Sequence, residues 1–137
     1  MTSRAILWVD DDINTSLRPY IDELEDAGFN VLQAENLERM KNVLESSDDL
    51  VSLIILDVMM PTGQSISLKE SHGGQFTGLV VAKELLSIVQ YKEIPILLFT
   101  LMDVSGELDV DPRIKIAMKQ ETLPSDLCDL VKKIIGS

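Results

Sequence analysis

Five short apolar runs punctuate the chain, and helical spacing fills most of the intervals between them. Ile6, Leu7, Trp8 and Val9 are apolar without a break, the pattern of a strand covered on both faces. Leu17, Ile21, Leu24 and Ala27 then recur at helical spacing, and Gly28 is well placed to terminate that helix. Pro19 fits only in a first helical turn, so the helix is expected to begin near Ser16. Residues 29–34 read as a second strand. Asn36 can cap a second helix in which Leu37, Met40, Val43 and Leu44 share one face. Val51–Leu56 is the third strand and the most hydrophobic.

After Pro61 the pattern breaks. Residues 62–75 contain Gly63, Gly73, Gly74, several serines and His72, and read as a long loop. Helical spacing returns with Leu79, Ala82, Lys83, Leu86 and Val89. Residues 94–99 form a fourth strand with Pro95 at its start. The acidic stretch 101–112, interrupted by Gly106, holds at best one helical turn. Ile114–Met118 is the last strand, and Pro124–Ile135 the last helix, with Leu127, Leu130, Val131 and Ile134 facing inward.

Near-continuous apolar strands alternating with amphipathic helices predict an α/β fold: a doubly wound, five-stranded parallel sheet with helices on both faces. Right-handed crossovers favour the flavodoxin-like order 2-1-3-4-5, with the fourth helix short or missing. The whole chain, 1–137, reads as one domain carrying an insert loop at about 62–75. Ligands of such sheets bind beyond the strand carboxyl ends, where the order reverses between strands one and three.

Those two strands end in acid. Asp10-Asp11-Asp12 follows the first, and Asp57 follows the third. The fourth ends on the hydroxyl of Thr100 and the last on the amine of Lys119. Clustered carboxylates repel one another unless a cation compensates, and oxygen-only ligands suit Mg²⁺ or Mn²⁺. A metal there would line up a phosphoryl group for attack by a carboxylate oxygen. Asp57, alone at the end of the central strand, is the best nucleophile candidate, while Lys119 and Thr100 can hold a phosphoryl oxygen. Asp12 reads as a helix-entry residue. His72 reads as a solvated loop histidine, Trp8 as core and Cys128 as a small apolar filler.

Charge narrows the partners. Lys and Arg number 12 against 23 Asp and Glu, a net charge of −11 that repels nucleic acid and anionic membranes. One cysteine fits a reducing cytosol, no apolar stretch reaches membrane-spanning length, and residues 1–4 run into a strand without a signal-peptide core. A cytoplasmic protein is expected.

Val9-Asp10-Asp11, Asp57-Val58-Met59-Met60-Pro61, Thr100 and Lys119, in that order, resemble the receiver domain of two-component response regulators across essentially the whole chain. The resemblance implies a non-enzymatic switch. Asp57 would accept a phosphoryl group from a histidine kinase or phosphotransfer protein, and the product would dock a downstream protein partner. Asp11 and Asp57, with the backbone carbonyl of Met59, would ligate Mg²⁺, and Asp10 would act mainly through water. Thr100 and Lys119 would sense the phosphorylated state.

Several positions depart from that family. The loop after Pro61 is longer than usual, Ile116 stands where the switch aromatic would fall, Gln120 replaces the proline after the lysine, and Leu101 is large where a small residue is preferred. Two alternatives follow. One is a phosphorylation-independent binding module on the same fold. The other is a haloacid-dehalogenase-like phosphatase, with Asp10 as nucleophile and Asp12 as acid/base.

Overall fold

A parallel strand buried on both faces must offer apolar side chains to each side in turn, and the central strands do so. The computed structural model describes residues 5–10, 17–46, 51–57, 94–100 and 114–136. Five strands appear there: β1 (Ala5–Val9), β2 (Asn30–Ala34), β3 (Val51–Leu56), β4 (Ile96–Thr100) and β5 (Ile114–Met118). All neighbouring pairs are parallel, and the order is β2-β1-β3-β4-β5, as the alternation predicts. Three helices, α1 (Arg18–Asp26), α2 (Leu37–Ser46) and α3 (Pro124–Ile135), lie among the described residues. The loop expected at 62–75, the helical spacing at 79–89 and the short or missing helix within 101–112 lie outside them.

The strand side chains divide into two cores. Leu7, Val9, Ile54, Leu56, Ile96 and Leu98 point to the face that carries Met40 of α2. Ile6, Trp8, Leu53, Ile55, Leu97 and Phe99 point to the other, against Ile21 and Leu24 of α1 and Leu127 and Val131 of α3. Cys128 fills space in this second core, and Trp8 lies fully buried within it. Every residue of β1 and β4 is buried, which is why neither strand alternates apolar with polar positions; Thr100, at the carboxyl end of β4, is the one polar residue in the two.

Local chemistry sets the element boundaries. Pro19 sits in the first turn of α1, where its missing N–H is no loss. That helix ends in a Schellman motif. Phe29 N–H donates to the Leu24 carbonyl at 3.1 Å and Gly28 N–H to that of Glu25 at 3.0 Å. Gly28 takes the φ of +99° that the motif needs. Asn36 caps α2, its Oδ1 accepting from the N–H of Arg39 at 2.8 Å. Asp126 reaches back to the N–H of Leu123 at 3.1 Å and steadies the start of α3. No helix among the described residues is long and apolar enough to cross a membrane.

Candidate functional site

The sheet ladder does not stop where the strands do. Asp10 N–H donates to the carbonyl of Ala34, and Asp57 N–H to that of Val9, both at 3.1 Å. The two aspartates are thus held as the next rungs of β1 and β3. Val9 pairs with Leu56, so one further step sets Asp10 beside Asp57. Adjacent parallel strands lie about 4.8 Å apart, which brings the carboxylates together at the carboxyl edge.

Lys119 closes the arrangement. Its Nζ donates to Oδ2 of Asp10 at 2.8 Å and to Oδ2 of Asp57 at 3.4 Å. Burial by itself would pull the Lys119 ammonium down. The hydrogen bond and charge of Asp10 oppose it, and those of Asp57 add to them, so its pKa ends above the ordinary lysine range. Two carboxylates face one ammonium, and the trio keeps a formal charge of −1.

The two acids differ in access. Asp10 is fully enclosed, whereas Asp57 is 6% exposed. Thr100 is buried at the end of β4, paired in register with Met118, the residue before Lys119. Of the residues singled out in the sequence, the structure brings Asp10, Asp57 and Lys119 into direct contact. It sets Thr100 on the same edge. Asp11 and Met59 lie outside the described residues, as do Asp12, His72 and Leu101. Ile116 is half-buried on β5.

Hard, negatively charged oxygen donors are a donor set that fits Mg²⁺. Asp10 and Asp57 supply two such donors. Among the described residues no three His, Cys, Asp or Glu side chains cluster, so any third carboxylate must come from outside them.

Sequence reasoning missed two features. It named no contact between Asp10 and Lys119, yet these two make the shorter of the ion pairs at this edge. Tyr20 and Thr122 were not singled out, although the Tyr20 hydroxyl donates to the Thr122 carbonyl at 2.7 Å. Nothing in the local pattern around either residue signals that bond, because they stand far apart in the chain.

Comparison with solved structures gives the fold a family resemblance. A response regulator from Desulfuromonas acetoxidans is 20% identical with a TM-score of 0.70, covering 96% of each chain. The chemotaxis response regulator CheY4 of Vibrio cholerae is 23% identical, TM-score 0.68, over 97% of this chain and 99% of that one. A response regulator receiver domain protein from Clostridium thermocellum is 20% identical, TM-score 0.70, over 97% and 94%. No protein-family model and no curated protein matches the chain. The chain has the fold of a response-regulator receiver domain.

Proposed function

We propose that this chain is a phosphoacceptor switch of two-component signalling, taking a phosphoryl group on Asp57 from a histidine kinase or phosphotransfer protein. The observation that carries the reading is the convergence of Asp10, Asp57 and Lys119 on one edge of a receiver fold, beside Thr100.

Of the two described acids, Asp57 has the exposed surface and the looser contact with Lys119, which suits a nucleophile. Its carboxylate oxygen attacks phosphorus as the P–N bond of the donor phosphohistidine breaks. The electron pair of that bond stays on the imidazole nitrogen, which then takes up a proton. Asp10, Asp11, Asp57 and the Met59 carbonyl would hold Mg²⁺, whose charge offsets that of the phosphoryl group when bound. Lys119 then meets a phosphoryl dianion where it had met a carboxylate, and Thr100 offers a hydroxyl to a phosphoryl oxygen. Docking to a protein partner in the cytoplasm would carry the signal onward.

The enclosure of Asp10 weighs against its service as a phosphatase nucleophile. The deciding experiment is thermal unfolding with Mg²⁺ and beryllofluoride, a phosphoryl mimic. The wild type should be stabilised and Asp57→Asn should not. A wild type that does not respond defeats the proposal. Turnover of a phosphomonoester that is lost in Asp10→Asn but kept in Asp57→Asn would favour the phosphatase instead.

A further inference from the structure

Lys119 has far to reach. β5, which it follows, is three strand spacings from β1, and these amount to about 14 Å in a flat sheet. A lysine side chain does not extend that far. Sheet twist and the path of the backbone after Met118 must together bring Nζ to Asp10. That backbone is a single 3₁₀ turn, Lys119–Glu121, with extended residues on either side. Such a turn is weak in isolation. Gln120 adds no ring to stiffen it, and Gln120 and Glu121 are both exposed.

Two side-chain hydrogen bonds from Thr122 and Tyr20 brace the turn. The Thr122 hydroxyl donates to the Met118 carbonyl at 2.8 Å, closing the loop from one flank to the other. The Tyr20 hydroxyl donates to the carbonyl of the same Thr122 at 2.7 Å, tying the closed loop to α1. The Tyr20 ring is itself fixed. It meets Phe99 edge-on at 5.2 Å and Trp8 at 6.5 Å, and those two rings meet at 5.8 Å. Trp8 lies two residues before Asp10, and Phe99 one before Thr100. The anchor therefore rests on the two strands that deliver those residues.

We propose that Tyr20 is a positioning residue for Lys119: through Thr122 it fixes the turn that carries the ammonium to the carboxylates. The inference deepens the proposed function and rests on it, because what Lys119 is placed for is the phosphoryl group. Tyr20 touches no reacting atom. Its effect should therefore fall on the phosphoryl contact and spare the metal contact, which the aspartates make without Lys119.

The test uses Tyr20→Phe, which keeps the ring and deletes the donor, and Thr122→Val, which deletes the closing hydroxyl. Asn36→Ala serves as control, since it removes a comparable anchoring bond on the opposite face of the sheet. Calorimetry measures the affinity for Mg²⁺ alone and for beryllofluoride at saturating Mg²⁺. Each clamp variant should lose about three- to tenfold in beryllofluoride affinity, the scale of one net hydrogen bond, with Mg²⁺ affinity within twofold of wild type. Asn36→Ala should change neither. Unchanged beryllofluoride affinity in Tyr20→Phe, or Mg²⁺ affinity falling in parallel, overturns the inference. If the wild type binds no beryllofluoride, the proposed function has failed, and amide exchange at residues 119–121 decides for the clamp. Faster exchange in both variants supports it, and unchanged exchange defeats it.

Discussion

Replacing Lys119 by methionine keeps the aliphatic stem and removes the ammonium that pairs with both Asp10 and Asp57. At an effective dielectric constant of about 20, unit charges at 2.8 Å and 3.4 Å attract by about 6 and about 5 kcal/mol. Desolvation offsets much of that, since the Lys119 side chain is only 13% exposed and that of Asp10 not at all. Removing one partner of a buried pair still destabilises by about 3–5 kcal/mol, because burial leaves the remaining carboxylates poorly solvated once that ammonium is gone. Unfolding entropy of about 2.1 cal/mol/K per residue over 137 residues converts this to a fall in Tm of about 10–17 °C. Circular dichroism melts at pH 7 in EDTA measure it. The double variant Lys119→Met/Asp10→Asn should regain part of the loss, because one of the two stranded charges is gone. Added Mg²⁺ should raise the Tm of Lys119→Met more than that of the wild type, since the metal then supplies the missing positive charge. A fall below about 3 °C, or strict additivity in the double variant, would show that the ion pair does not hold this edge together.

Alkaline pH should destabilise the protein. Burial raises the Cys128 thiol above 9.0, with Lys132 opposing and Glu23 and Asp129 adding, and Lys119 is raised above 10.5. In both cases the unfolded chain loses its proton first, so the stabilisation is whole below the unfolded pKa and lost as pH rises through the folded one. Tm should decline from about pH 9 upward, and Cys128→Ala should flatten the first part of that decline; a level profile to pH 11 would contradict the shifts. Gly28→Ala meets no atom within 4 Å of its new Cβ but keeps a φ of +99°. Strain alone should cost about 1–2 kcal/mol, seen as a lower urea midpoint, and an unchanged midpoint would refute it. Asn36→Ala should lose about 1 kcal/mol by the same measurement, the value of one helix cap.

Much of the fold was legible because it follows from local pattern. Val51–Leu56, Ile114–Met118 and Pro124–Ile135 have the boundaries that periodicity assigns them. β1, β2, β4 and α1 differ from expectation by at most two residues at any end, where hydrogen bonding rather than hydrophobicity sets the limit. Strand order was legible too, since right-handed crossovers leave few ways to cover both faces of five parallel strands. The candidate site was legible as an inventory: acids after β1 and β3, a hydroxyl after β4 and an amine after β5.

How those groups touch was not. Parallel register carries Asp10 to Asp57, but nothing along the chain says that Lys119 crosses the sheet edge to bind Asp10 more closely than Asp57. Nor does any spacing relate Tyr20 to Thr122, or Trp8 to Phe99. A periodic pattern records which face each residue turns to, and that is enough to specify elements and layers. Contacts between side chains on different elements depend on twist, register and the course of loops, which are fixed only when all the elements pack at once.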